Sequence, residues 1–260
     1  LILLVVLLPH LGLLSLSLAD IWSFSVLPDS WTLRHYIAIA VDSGGALLNT
    51  FMYCGLAASI DVLLGGAIAY LLSRTWMPGR HLLANTAGIA LAVPGVVLAL
   101  GYLRFFHDVD IPLSDTPVST TWVIIAIAYA VQQLPYAVKA CMVALQRIDP
   151  NLEAVAENLG STRLRVLRRI VVPLMAGGLM LGFVVTFMAA AIDLPITMLL
   201  TNNEAQAPMS YEIYLYMQSV SGRGPGAALA VVAIAVVAIC AYIINILLRA
   251  KLRDDTTTHP

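Results

Sequence analysis

The sequence predicts an all-α membrane protein with six transmembrane helices and a short cytoplasmic helix between the fourth and the fifth. Three observations carry that prediction: an apolar excess, a series of long charge-free stretches, and a one-sided distribution of Lys and Arg. Of 260 residues, 60% are apolar and only 11% are charged, against roughly 25% charged in a soluble domain. Such a chain has too little polar surface to enclose its own hydrophobic content in water, so lipid must be part of its solvent. A net charge of -1 excludes a protein that holds nucleic acid by neutralising phosphates. Cys54, Cys141 and Cys240 lie far apart in apolar runs, with neither metal-ligand spacing nor a disulfide framework, and read as small core residues.

The stretches without Asp, Glu, Lys or Arg are 1–19, 43–60, 62–73, 81–103, 116–138, 170–192 and 224–248. A helix needs about 20 residues to cross the ~30 Å hydrocarbon core, and 43–60 joins 62–73 across Asp61. The expected spans are therefore 1–22, 44–73, 82–104, 119–143, 173–200 and 225–249. Period-two alternation is absent, which argues against a barrel. The first outer segment, Ser23 to Asp42, contains Pro28-Asp29, which favours a turn, and Trp31, which suits the interfacial belt. The outer segment Thr201 to Gly224 carries Tyr211, Tyr214 and Tyr216, the pattern of a short amphipathic helix on the membrane surface. In the outer loop after the third span, His107-Asp108-Val109-Asp110 reads as solvated loop in preference to a metal site.

Orientation follows from the fourteen basic residues. Arg34, Arg104 and Arg223 fall on one side. The other eleven fall opposite: Arg74, Arg80, Lys139, Arg147, Arg163, Arg165, Arg168, Arg169, Arg249, Lys251 and Arg253. The positive-inside rule then places both termini in the cytoplasm. The chain opens at Leu1, without Met and already inside an apolar run. It reads as a single membrane domain over 1–260, truncated at its start or cut from a longer fused chain.

The longest cytoplasmic segment, 144–172, is the most informative. Asp149 is a good N-cap and Pro150 fits the first helical position, so a short helix is expected to start there. Gly160 suits the left-handed conformation that closes a helix, and Ser161 is expected to cap a second, basic helix leading into the fifth span. Gly160 is accordingly expected to tolerate Val poorly, and Gly222 in the outer segment to tolerate it better.

At these residues the chain resembles the permease subunits of binding-protein-dependent ATP-binding-cassette importers. Their cytoplasmic signature is E-A-A, three residues, G, nine residues, then I-x-L-P. With Gly160 as the glycine, Ile170 and Pro173 fall in register and Ala156 fits the second alanine. Ala154 stands in the glutamate column and Val155 in that of the first alanine, while Glu153 lies one position earlier. Leu27-Pro28-x-x-Trp31-Thr32-Leu33-x-x-Tyr36, Asn49-Thr50, Gly66-x-x-x-Ala69-Tyr70-x-x-x-Arg74, Ala92-Val93-Pro94-Gly95-x-x-x-Ala99-x-Gly101 and Leu134-Pro135-Tyr136 are similar to the branch importing ferric iron, polyamines, thiamine or 2-aminoethylphosphonate. The resemblance implies that Glu153, Ala154, Ala156, Glu157, Gly160, Ser161, Arg163, Ile170 and Pro173 form a docking and coupling site for an ATPase subunit. It also implies a second permease domain, a periplasmic substrate-binding protein and residence in the bacterial inner membrane. The chain has no phosphate-binding loop and no Gly-Lys pair, so it is not expected to be an enzyme, and ATP and its Mg belong to the partner.

Charged and amide groups inside spans are candidates for a pathway or gate. They are Asp61, Gln132, Asp193 and the helix-breaking Pro195; Gln133 is a similar amide. For Asp61 a bond to a neighbouring helix or to a second permease competes with a pathway role. Interhelical hydrogen bonding likewise competes for Gln132 and Gln133. Two other classes fit the sequence less well. An intramembrane aspartyl protease would need two carboxylates that share a proton, but Ser59-Ile60-Asp61-Val62 and Ala191-Ile192-Asp193-Leu194 lack the flanks of that family. A secondary transporter or channel would be favoured by an inverted repeat, which the halves do not show.

Overall fold

A computed structural model of the chain describes residues 2–22, 27–111 and 116–257. In chain order the first helices are α1 (Ile2–Leu18), α2 (Arg34–Asp42), α3 (Gly44–Arg74), α4 (Arg80–Ile89), α5 (Gly95–Phe105) and α6 (Trp122–Gln146). There follow α7 (Pro150–Asn158), α8 (Arg163–Val166), a π-helical turn (Leu167–Val171), α9 (Val172–Ala191), α10 (Pro195–Leu200), α11 (Met209–Met217) and α12 (Arg223–Thr257). Two isolated bridges, Ala19–Trp31 and Asp110–Pro117, are the only extended pairing among the described residues.

The core is a trio of long helices, α3, α6 and α9, packed on one another. Along α3 the buried residues Tyr53, Cys54, Ala57, Ala58, Asp61, Gly65 and Ala69 recur every three or four positions, which is one helical face. Small side chains set the approach. A Cβ on Gly65 would stand 2.9 Å from the Val138 backbone nitrogen, and one on Gly178 would stand 2.1 Å from the Ala144 Cβ. In lipid there is no hydrophobic drive between helices, so close backbone packing of this kind supplies the attraction. Tyr53, Ile124, Ile125, Tyr129, Phe187 and Ile196 fill one end of the trio; Leu145, Ile148, Val166, Val171 and Met175 fill the other, nearest α7. Helix α12 flanks α9 and pairs with α1, whose Val5, Val6, Leu8 and Leu11 face outward.

Among the described residues, four helices are long and apolar enough to cross a membrane: Gly44–Arg74, Trp122–Gln146, Arg163–Ala191 and Arg223–Tyr242. Two expected spans are interrupted. The expected helix 82–104 is divided into α4 and α5, because Pro94 has no N–H for a helical bond and turns the preceding residue away from helical geometry. The expected helix 173–200 starts at Arg163 and stops at Ala191; Asp193 and Leu194 are unwound and Pro195 opens α10. The π-helical turn before Pro173 makes room for a ring that would otherwise meet the carbonyl one turn earlier.

At the end of the bundle remote from α7, the tyrosine-bearing helix α11 forms as expected. It is packed against α12 and α3, with Met209 buried among Ile39, Ala228 and Leu229. The amide of Asn49 donates to the carbonyls of Ala205 and Ala207 at 2.9 and 3.1 Å, and the Met209 N–H donates to Thr50 Oγ1 at 2.8 Å. The Asn49-Thr50 pair therefore pins residues 205–209 onto the start of α3.

Candidate functional site: a capped helix clamped to the bundle

Helix α7 is formed by its own punctuation. The Asp149 carboxylate accepts the Asn151 N–H at 2.9 Å, with Pro150 in the first helical position. At the other end Gly160 has φ +86, the Gly160 N–H donates to the Glu157 carbonyl at 2.9 Å, and the Ser161 N–H donates to the Ala156 carbonyl at 3.0 Å. These are the two bonds of a Schellman closure, and they require a left-handed residue at position 160. Ser161 is thereby used to close α7. The second helix has Thr162 in the N-cap position, without a side-chain cap, in place of the expected Ser161.

Glu153 points away from solvent. Its Oε1 accepts Arg74 Nε at 2.8 Å, its Oε2 accepts the Tyr70 hydroxyl at 3.0 Å, and the two charged side chains are only 13% and 12% exposed. Arg74 Nη2 also donates to the carbonyls of Ile148 at 2.6 Å, two residues past the end of α6, and of Leu145 at 3.2 Å, which in addition accepts the Ile148 N–H at 3.1 Å. Removing one partner of a buried pair leaves the other charge uncompensated, at a cost on the order of 3–5 kcal/mol. The other ion pair here, Arg163 Nε with Glu157 Oε1 at 3.3 Å, is largely in solvent and contributes little.

With Glu153 turned inward, α7 presents Leu152, Val155 and Leu159 outward, 48%, 56% and 82% exposed. Their spacing of three and four puts them on one stripe. Ala154 and Glu157 are exposed beside them, Ala156 is half-buried, and Ile170 leads into the helix that contains Pro173. Leu152 and Leu159 belong to no motif in the sequence; two leucines in so short a capped helix were their only signal there. Tyr70 and Arg74, noted only as part of a motif, are one turn apart on α3 and both reach Glu153.

The intramembrane candidates fall into two places. Gln132, Pro195 and the break at Pro94-Gly95 come together: a Cβ on Gly95 would stand 3.2 Å from Pro195 Cβ and 3.5 Å from the Gln132 amide. Gln132 Oε1 is buried without a hydrogen-bond partner. Asp193 holds the kink between α9 and α10. Its Oδ1 accepts the Ile196 N–H at 3.0 Å, and its carbonyl accepts the hydroxyls of Thr197 at 2.6 Å and Ser210 at 3.1 Å. Thr197 in turn meets the buried Tyr129 hydroxyl. Asp61 is apart from this cluster. It is fully buried on the inward face of α3, and neither oxygen has a hydrogen-bond partner.

Long apolar helices, two broken ones and a separately capped helix held at one end define a polytopic membrane protein. The chain belongs to the family of binding-protein-dependent transport system inner membrane components, whose pattern matches residues 1–254. It is 27% identical over 199 residues to the ferric transport system permease protein FbpB of Actinobacillus pleuropneumoniae, a match covering 76% of this chain and 28% of that protein. It is 28% identical over 207 residues to the molybdenum transport system permease protein ModB of Escherichia coli strain K12, covering 76% of this chain and 90% of that one. It is 30% identical over 143 residues to the sulfate transport system permease protein CysT of Salmonella typhimurium, covering 53% and 52%. The matched part is thus about a quarter of the ferric relative and about half of the sulfate one. Among solved structures, a bacterial transporter importing the acidic polysaccharide alginate shares the fold, with TM-score 0.72 at 16% identity over 93% of this chain and 88% of that chain. The inward-facing MetNI methionine transporter gives TM-score 0.62 at 14% identity over 83% and 97%.

Proposed function

We propose that this chain is the permease subunit of an ATP-driven importer, and that the outward stripe of α7 is the surface on which the ATPase docks. The single observation that supports this reading most is the construction of α7: capped at both ends, clamped through Glu153, and left with Leu152, Val155 and Leu159 exposed. A helix that served only to connect two spans would not need to keep an apolar face in water. In this reading residues 144–172 are a cytoplasmic docking loop within one permease domain, and both termini are cytoplasmic. ATP hydrolysis occurs in the partner.

Transport then needs a second permease domain and a periplasmic binding protein that delivers a small solute. The relatives are named for ferric iron, molybdenum and sulfate transport. The cluster of Gly95, Gln132, Asp193 and Pro195 sits where two spans are broken, which is where transport proteins place gates and ligand-facing backbone.

The test is co-purification with an ATP-binding-cassette ATPase subunit co-expressed with this chain. The parent retains it, whereas Leu159→Glu and Val155→Glu lose it at equal membrane expression. Retention by both variants would refute docking through this stripe.

A further inference from the structure

Resting on that reading, we propose that Arg74 and Tyr70 are positioning residues that carry the motion of α7 into α3 and α6. The docking helix would then drive the membrane core through a buried clamp as well as through the chain that joins it to α9.

The geometry separates two routes out of α7. The covalent route leaves through Gly160, passes the exposed Arg163–Glu157 pair and enters α9 through a π-helical turn that ends beside Pro173. Two later steps on that route are compliant, although Gly160 itself is held by its two closing bonds. An exposed pair is screened, and a π turn next to proline lacks a helical hydrogen bond.

The second route has no such slack. One planar guanidinium reaches Glu153 on α7 through Nε, and through Nη2 the carbonyls of Leu145 in the last turn of α6 and of Ile148 just beyond it. It is itself the last residue of α3, and Tyr70, one turn earlier, holds the second oxygen of the same carboxylate. α3, the end of α6 and α7 therefore meet on one side chain. The fork of donors fixes direction as well as distance, which an ammonium could not do.

The acid at position 153 is spent inside the subunit, and Ala154 occupies the neighbouring exposed position. The docking surface of α7 is therefore apolar in its centre, while the charge works as an internal fastener.

The experiment uses the full chain assembled with its second permease domain, ATPase and binding protein in proteoliposomes. Solute taken up per ATP hydrolysed is measured for the parent and for Arg74→Gln, Arg74→Lys, Tyr70→Phe and the exchange Arg74→Glu with Glu153→Arg. Arg104→Gln, which touches only an exposed pair at 3.9 Å, is the control. Arg74→Gln is expected to lower uptake per ATP at least tenfold, Arg74→Lys and Tyr70→Phe less, and the control not at all. The exchanged pair is expected to stay uncoupled, because a carboxylate at position 74 cannot donate to the carbonyls of Leu145 and Ile148. If uptake and hydrolysis fall together in Arg74→Gln, so that their ratio equals the parent's, Arg74 is merely structural and the proposal fails. Full recovery in the exchanged pair would also overturn it, by showing that α6 is not part of the clamp. A parent that does not retain the ATPase would instead defeat the docking reading itself, so the two failures are distinguishable.

Discussion

Gly95 and Pro195 meet where two spans are broken: a Cβ built on Gly95 would lie 3.2 Å from the Cβ of Pro195. The contact joins the start of α5 to the start of α10, with the Gln132 amide beside it. Gly95→Ala requires the neighbouring ring to give by a few tenths of an ångström, and Gly95→Val requires the half-helices to part. The expected outcome is a membrane-inserted protein whose uptake falls modestly in the Ala variant and by more than tenfold in the Val variant. Gly101→Ala, with nothing within 4 Å of the added carbon, is expected to transport like the parent.

Gly160 tests the closure of α7. Its φ of +86 is a region that β-branched residues avoid, so Gly160→Val strains the turn by roughly 1–2 kcal/mol and turns α8 away from its course. Uptake should be sharply reduced at normal expression. The sequence-based choice of Gly222 as the tolerant comparison is corrected by the structure, since a Cβ there would stand 2.3 Å from the Tyr216 carbonyl oxygen. Gly101→Val is the appropriate control.

Gly178 should be the least tolerant glycine of the α6–α9 contact. An added Cβ would overlap the Ala144 Cβ at 2.1 Å, whereas at Gly182 the nearest atom is 3.5 Å away. Overpacking costs about 1–3 kcal/mol. Gly178→Ala is expected to lower the thermal stability of the purified protein in detergent measurably more than Gly182→Ala. Equal melting temperatures would mean that the two helices do not approach in this way.

Glu212 makes the end of the bundle remote from α7 sensitive to pH. Burial pushes its carboxyl above the ordinary glutamate range, with Asp42 and Glu204 adding to the shift and the Ser43 hydroxyl, which donates to Oε1 at 2.7 Å, opposing it. A raised folded-state pKa means the folded protein holds the proton more tightly than the unfolded chain. Stability is therefore lost as pH rises from the ordinary glutamate value through the raised one. Relative to Glu212→Gln, which keeps an acceptor for Ser43, the parent's melting temperature should fall over that window. Parallel curves for the two proteins would remove Glu212 as the cause.

Topology is tested by cysteine labelling from outside the cell. Cysteines at the exposed positions Asp29, Asp110 and Glu204 should react with an impermeant reagent, and one at Asn158 should not, because the basic residues are distributed eleven to three. Reaction at 158 alone would place α7 on the wrong side for docking.

The sequence by itself determined everything set by local or one-dimensional chemistry. Membrane residence follows from the apolar excess, and the bounds of α3 from the run 44–73. The ends of α7 follow from Asp149, Pro150 and Gly160, because caps and left-handed closures depend on neighbours a few residues away. Tertiary structure decided what depends on which face meets which. The direction of Glu153 is one such outcome: its partners Arg74 and Tyr70 lie about eighty residues earlier, and only packing of α3 against α6 brings them under α7. The breaks at Pro94 and Pro195 are another. A proline in an apolar run is compatible with a continuous helix, as Pro135 inside α6 shows, and becomes a break where neighbouring groups can satisfy the freed backbone. At Pro195 those groups are Asp193, Thr197 and Ser210, which no periodicity could have assembled in advance.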